Sequence, residues 1–346
     1  MRNSPYAVIA LSAVALTSCV DKEDWTPERL ARGQAGSEEL RLKRGQASYT
    51  TYCSGCHGAQ GDGQGPAARF LEPKPRDFTK GKVKFASVPA GDMPHDADLY
   101  RTITKGLHGT SMPSWNLLPK QEVDDIIEYI KTFTPNRKPP GAIVPIPQDP
   151  WVKSPEKGVA EGEKLYHGLA ACMSCHPAYT TKPKVVEAMK SYDMDFSTFR
   201  PNAYDSETKD SEWGAPIRPP DFLIDPIKSG TAREDLVRVI ATGVGGTAMP
   251  SWGATLTPKQ LWGLAYYVES LAILRGSKEA ADLRQSLLTQ PPYTPPPPPP
   301  PPPPPEPTAD PSAAPTASAS ASASASAGAS AVPTAKPSAA PTANPK

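Results

Sequence analysis

Two short motifs carry the residues best suited to chemistry, "CSGCH" at 53–57 and "CMSCH" at 172–176. Two thiols on one helical turn can each form a thioether to a vinyl group of one porphyrin, and the next histidine is then held beneath the iron. Each motif therefore predicts one covalently bound haem c, with the histidine as its proximal ligand. The predicted attachment residues are Cys53, Cys56, His57, Cys172, Cys175 and His176.

Two other kinds of site use paired cysteines. A four-cysteine zinc site normally takes its pairs from nearby stretches of chain, and the two pairs here lie far apart. A thioredoxin-like redox pair has no need of a histidine directly after it, yet both motifs have one. Haem attachment explains both features, so we favour it over either alternative.

A methionine heptapeptide follows each motif, "GTSMPSW" at 109–115 and "GTAMPSW" at 246–252. Methionine usually fills gaps in a core, so a methionine fixed between Gly-Thr and proline in both copies indicates a ligand. We predict that Met112 and Met249 are the sixth ligands of the two irons. Histidine with methionine is a common axial pair in cytochromes, and the thioether raises the reduction potential.

The remaining methionines and histidines lack a counterpart in the other half of the chain. Surface or supporting positions are expected for the histidines. Only His108 lies close to Met112 in sequence, and a His/His first site is the alternative that it leaves open. The residues without a counterpart are Met93, Met173, Met189, Met194, His95, His108 and His167.

The matching heptapeptides belong to a longer repeat. "LYRTITKGLHGTSMPSW" aligns with "LVRVIATGVGGTAMPSW", and "KPRDF" (74–78) aligns with "RPPDF" (218–222). Upstream of the cysteines, Gly45 and Tyr49 correspond to Gly162 and Tyr166. Apolar residues recur with helical period after each methionine, and Thr257-Pro258 predicts a helix start. The periodic positions are Val123, Ile126, Ile127, Ile130, Leu261, Leu264, Ala265 and Val268.

From about Ser37 to Leu271 the chain resembles a dihaem class I cytochrome c, on the motifs "CSGCHGAQGDGQGPAA" and the paired GT-x-MPSW. It is similar to the tandem cytochrome domains of cbb-type oxidase subunits and of dehydrogenase-associated cytochromes. The resemblance implies an all-α fold of two tandem domains, each a small helical bundle around one haem. It also implies that a proline carbonyl accepts a hydrogen bond from the proximal histidine, and that tryptophans pack near the haem propionates. The implied residues are Pro66 and, in the second copy, Pro216 for the carbonyl, and Trp115 and Trp252 for the packing.

The N-terminus has one arginine and then a short apolar run from Ala7 to Leu16, which is typical of an export signal. "LTSC" (16–19) resembles the lipobox of bacterial lipoproteins, in which Cys19 would be lipidated; an ordinary cleaved signal is the alternative. We therefore expect membrane association through an N-terminal lipid, on the periplasmic side of a bacterial membrane.

The predicted organisation follows from these boundaries. It comprises a lipoprotein signal peptide (1–18), a tether (19–36), cytochrome c domain 1 (37–135), a Pro-rich linker (136–151), cytochrome c domain 2 (152–276) and a disordered Pro-rich, then Ala/Ser/Pro-rich tail (277–346). A polar insertion at 178–218 interrupts the second copy. We expect a solvated loop there, with a docking surface or a lid as alternatives.

The net charge of +1 gives no sign of a nucleic-acid partner. Two six-coordinate irons leave no open position for a substrate, so the sequence favours an electron-transfer protein and not an enzyme. The expected partners are a redox donor and acceptor, such as a respiratory complex, an oxidase or a dehydrogenase. The alternatives are a haem-bearing subunit of such a complex, or a dihaem peroxidase or thiosulfate-oxidising cytochrome.

Overall fold

A computed structural model of the chain describes residues 27–194, 200 and 202–293, with side chains from residue 37 onward. The predicted signal peptide, Cys19 and the tail beyond residue 293 lie outside the described residues. Within the described ranges, no helix is both long enough and apolar enough to cross a membrane.

Helices are the main regular structure of the described part of the chain, as predicted. The helices are α1 (Pro27–Tyr52), α2 (Ser54–His57), α3 (Asp96–Lys105), α4 (Lys120–Thr132), α5 (Pro155–His167), α6 (Lys182–Lys190), α7 (Arg233–Thr242), α8 (Pro258–Leu274) and α9 (Lys278–Leu288). A two-stranded antiparallel ribbon pairs β1 (Lys209–Asp210) with β2 (Pro216–Ile217).

In the first domain, α1 packs across α4, and α3 lies beside α4. The apolar positions of α4 recur every three to four residues, so they form one face, and that face is buried. The predicted core residues Val123, Ile126, Ile127 and Ile130 all lie on it. Tyr49 of α1 completes this core.

The second domain repeats the arrangement with α5 across α8 and α7 beside it. Its α8 starts where the sequence predicts. The Thr257 side chain accepts a hydrogen bond from the Gln260 backbone N–H at 3.3 Å, and the Gln260 side chain accepts one from the Thr257 N–H at 2.9 Å. This reciprocal capping satisfies two backbone donors that would otherwise have no helical partner.

Each helix crossing depends on the glycine that the repeat places in the first helix of the pair. A Cβ on Gly45 would lie 2.0 Å from the Asp125 carbonyl oxygen, and a Cβ on Gly162 would lie 2.0 Å from the Gly263 carbonyl oxygen. The helices can approach this closely only because neither position carries a side chain. The same glycine thus sets the same crossing in both domains.

Replacing Gly162 with alanine is expected to destabilise the second domain by about 2 kcal/mol, because the new methyl group meets a backbone carbonyl that cannot rotate away. Denaturant unfolding would measure the loss. Gly263→Ala is the matched control, since a Cβ there meets only ordinary contacts of 3.4 Å or more. Equal stability of the two variants would contradict the explanation.

Two predicted boundaries are wrong. Helix α1 begins at Pro27, inside the predicted tether of residues 19–36. Helix α9 occupies residues 278–288, inside the predicted tail, and it buries Ala280 and Leu287. Both helices are rich in charged residues, so the polar composition of these stretches concealed their helical structure.

The insertion at 178–218 is only partly the solvated loop that the sequence predicts. Its helix α6 buries Val185, Val186 and Met189, and Ala178 and Tyr179 just before it are buried as well. These apolar residues lie between lysines, so the mean composition of the segment gives no sign of them. The insertion therefore adds a layer to the core of the second domain.

The linker between the domains forms hydrogen bonds with the rest of the chain at several points along its length. The Gly141 N–H donates to the Met93 carbonyl at 3.0 Å, and the Val144 N–H donates to the Ser87 carbonyl at 2.8 Å. Further on, the Trp262 indole N–H donates to the Pro147 carbonyl at 3.0 Å. The linker thus contacts both domains, as a stiff connection requires.

Candidate functional site

The first predicted site lies in an open cleft. The cleft has a volume of about 1320 Å³, which includes the space open to solvent. It brings together residues that are far apart in sequence: both cysteines of the first motif, the adjacent histidine and the methionine of the heptapeptide. Apolar side chains of α3 and α4 form much of the wall. The predicted site residues in this lining are Cys53, Cys56, His57, Met112 and Trp115.

The His57 ring is held from two sides. Its Nδ1 donates a hydrogen bond to the Arg76 carbonyl at 3.1 Å, and Phe78 stacks on it with ring centroids 4.6 Å apart. With Nδ1 committed to a carbonyl, Nε2 carries the lone pair that a metal ligand needs. The predicted acceptor, Pro66, is exposed, and the prediction is corrected to Arg76.

The second histidine has equivalent partners. His176 Nδ1 donates to the Pro220 carbonyl at 3.0 Å, and Phe222 stacks on the ring at 4.9 Å. The prediction that the Pro216 carbonyl is the acceptor in the second copy is therefore corrected to Pro220. Arg76 and Pro220 share one position of the "KPRDF" and "RPPDF" match, so the repeat itself contained a signal for these acceptors.

A buried tyrosine fixes the chain directly after each histidine. The Tyr49 hydroxyl donates to the Gly58 carbonyl at 2.7 Å, and the Tyr166 hydroxyl donates to the Pro177 carbonyl at 2.8 Å. Burial raises the pKa of both phenols well above the ordinary value, so both remain donors at physiological pH. The matching tyrosines of the repeat thus support the histidine backbone.

The methionine loops share one internal hydrogen-bond pattern. The Thr110 hydroxyl donates to the Leu107 carbonyl at 2.8 Å and accepts from the Met112 N–H at 3.1 Å. In the second loop, the Thr247 hydroxyl makes the same two bonds at 2.8 and 3.2 Å, the second from the Met249 N–H. The threonine that both heptapeptides share therefore shapes the loop that presents the methionine.

A glycine ends the helix before each loop. Gly106 and Gly243 have φ values of 67° and 75°, in the left-handed region that glycine adopts without strain. A Cβ would lie 2.7 Å from the Pro113 carbonyl carbon in the first loop and 2.8 Å from the Met249 carbonyl oxygen in the second. This close approach folds each loop back against its helix.

Two family models match the chain in succession. The model "Cytochrome c" matches residues 42–134, and "Cytochrome C oxidase, cbb3-type, subunit III" matches residues 157–268. The chain belongs to the cytochrome c family. It therefore consists of tandem cytochrome c domains of class I type, and cytochrome c domains bind haem covalently and take part in electron transfer.

One solved structure extends the likeness across both domains. A chain of the Kuenenia stuttgartiensis reducing HAO-like protein complex is 31% identical, with a TM-score of 0.53. The alignment covers 66% of this cytochrome and 95% of that chain. No curated protein matches the sequence.

The thiols of the two cytochrome c domains fit haem attachment better than the two alternatives. All four described cysteines are free, and burial raises the pKa of Cys53 and of Cys172 to about 12. Cys53 and Cys172 are therefore neutral thiols, whereas zinc ligands and redox-active cysteines need easily formed thiolates. Within the described ranges, no three histidine, cysteine or acidic side chains gather to hold a metal ion.

The remaining predicted residues of the cytochrome lie near the loops. Trp115 lines the first cleft and packs against Tyr52 with ring centroids 5.2 Å apart. Trp252 packs against the core of the second domain. Their contact with haem propionates stays a prediction. His108 is exposed and lies outside the lining of the first cleft, which favours Met112 as the ligand there.

Proposed function

We propose that this cytochrome carries two haems, each ligated by histidine and methionine, and transfers single electrons between redox partners. The observation that supports this most directly is the duplication of four supporting features. Each domain has a carbonyl that accepts from the histidine and a phenylalanine that stacks on it. Each also has a tyrosine that bonds the carbonyl of the next residue, and a hydrogen-bonded methionine loop. With two protein ligands on each iron, neither iron has an open coordination position at which a substrate could react.

The haem supplies the one-electron chemistry when it is bound, and the protein keeps its ligands in place. The Arg76 and Pro220 carbonyls orient the two imidazoles, and Phe78 and Phe222 restrict their rotation. A rigid ligand set keeps the geometry similar in both oxidation states. A ligand set of this kind lowers the reorganisation energy of electron transfer.

The proposed partners are a redox donor and an acceptor, such as a respiratory complex, an oxidase or a dehydrogenase. We also propose a lipid anchor at Cys19 on the periplasmic side of a bacterial membrane. The second family match, to an oxidase subunit, supports a respiratory setting.

A haem-bearing subunit of a larger oxidoreductase is the second candidate. The similarity to a chain of a reducing HAO-like protein complex favours it. The mass of the native particle, measured in mild detergent from membranes of the source cell, distinguishes the two. A free carrier migrates as a particle of one chain, and a subunit migrates with its complex.

Replacing Met249 with alanine is expected to open the second iron alone. The reduced variant should bind carbon monoxide at one haem, and the weak near-infrared band of the oxidised protein should fall by about half, because that band reports thioether ligation. Met112→Ala is the matched variant for the first iron. Carbon monoxide binding by the unaltered reduced protein at neutral pH would favour an enzyme, and unchanged ligation in Met249→Ala would refute the assignment.

A further inference from the structure

The two domains meet through equivalent contacts in both directions. The backbone N–H of His108, in the first methionine loop, donates to the Lys228 carbonyl of the second domain at 3.2 Å. The N–H of Gly245, in the second loop, donates to the Lys84 carbonyl of the first domain at 3.0 Å. Lys84 and Lys228 occupy equivalent positions after the Asp-Phe pair of each repeat. The interface is thus of the two-fold kind that two copies of one domain form.

The side chains of Lys84 and Lys228 lie at the same cleft. Lys84, Lys228 and Arg76 all line the first cleft, although Lys228 belongs to the second domain. The Arg76 guanidinium stacks 3.7 Å over the Trp213 ring, and Lys84 Nζ lies 5.4 Å from the same ring centroid. No carboxylate of the described residues forms an ion pair with any of the three cations.

Three half-buried cations without a carboxylate partner are unfavourable, because each loses hydration and repels the others. Burial, Arg76 and Lys228 together lower the pKa of Lys84 to about 8, and the charge of Glu72 opposes them with a smaller effect. A ligand with negative charge would offset both costs.

We propose that Arg76, Lys84 and Lys228 bind the haem carboxylates of the first domain, so that a lysine of the second domain completes the first haem site. The proposal rests on the proposed function, because it takes the first cleft as a haem site. Haem c brings two propionate carboxylates, which are the anions that this cleft would receive. Lysine and arginine bind carboxylates through charge-assisted hydrogen bonds.

The interface is suited to hold Lys228 in this position. Besides the two backbone hydrogen bonds, Lys105 of the first domain pairs with the buried Asp235 of the second at 2.9 Å. The Ala90 N–H also donates to the Thr242 carbonyl at 2.7 Å. A lysine held across a fixed interface binds an anion with less loss of conformational freedom.

Lys228→Met in the full haem-loaded chain tests the proposal. Removing a cation near an iron disfavours the reduced state, so the reduced-to-oxidised ratio of the first haem should fall about three- to tenfold at a fixed potential. The propionate bending modes in the resonance Raman spectrum should shift as well. Lys228→Arg should restore both signals, and the exposed Lys157→Met, on the same domain, should change neither.

Several outcomes would overturn the proposal. If Lys228→Met matched Lys157→Met in potential and Raman spectrum, Lys228 would not contact the carboxylates. If its effect appeared only in phosphate buffer, the anion would be free phosphate and not the haem. Lys84→Met gives an independent variant should Lys228→Met fail to mature. Haem counting by intact mass keeps the proposed function separate, since a chain without haem would refute that function first.

Discussion

A chain in which Cys172 and Cys175 are both alanine is expected to carry one haem instead of two. Each thioether requires a thiol to add across a vinyl group, and alanine offers none. The first motif lies in its own domain with its own cleft, so its haem should remain. Intact mass, measured after expression with the haem-ligation machinery, should therefore fall by one haem, and the Soret absorbance per chain should fall by about half.

The mirror variant, Cys53→Ala with Cys56→Ala, should lose the other haem and give the same mass change. Cys19→Ala is the matched control, because that cysteine is predicted to carry lipid and its loss should leave the haem count at two. Two haems in the Cys172/Cys175 variant would show that the second motif does not attach haem. A single haem in the unaltered chain would contradict the two-haem proposal directly.

The helical core could be predicted, and candidate haem ligands could be named, because both signals are local. A haem motif needs only five consecutive residues, and the period of α4 and α8 is visible within single segments. The repeat then located the methionine loops, because two heptapeptides that differ at only one position rarely occur by chance. The family matches confirm the domain type that these signals predicted.

The contacts that support the histidines could be predicted less well, because a hydrogen bond to a backbone carbonyl does not depend on the type of the residue that supplies it. Any residue can supply the oxygen that His57 needs, and the structure uses Arg76 and not Pro66. The contact between the insertion and the first domain could not be predicted for another reason. Trp213 contacts Arg76 of the other domain, and a contact between residues so distant in sequence leaves no local pattern.

His167 occupies a supporting position, which is one of the two kinds of position expected for it from the sequence. Its ring is fully buried, and no local sequence pattern indicates that burial. Its Nδ1 donates to the Glu163 carbonyl at 2.8 Å, and its Nε2 accepts from the Tyr179 N–H at 3.1 Å. The Tyr179 hydroxyl in turn accepts from the Phe222 N–H at 2.7 Å. The neutral ring thus connects α5 to the phenylalanine that stacks on His176.

These bonds admit only the neutral imidazole, because a proton on Nε2 would face an amide donor. Burial lowers the pKa of His167 from 6.5 to about 4, against the opposing effect of the Glu163 carbonyl. Between those values the unfolded chain binds a proton that the folded chain does not. Folding stability from this group is therefore complete above pH 6.5 and falls by about 3 kcal/mol as the pH drops to 4. Denaturant unfolding of the haem-loaded protein at a series of pH values measures this slope.

His167→Gln, which stays neutral throughout, should be less stable at pH 7 but should lose less stability between pH 6.5 and pH 4. His108→Gln is the matched control, since His108 is exposed and its replacement should leave the slope of the unaltered protein in place. The histidines proposed as haem ligands are common to all three proteins, so the comparison removes their contribution. An identical pH slope in His167→Gln and the unaltered protein would mean that His167 is not the group whose protonation unfolds this domain in acid.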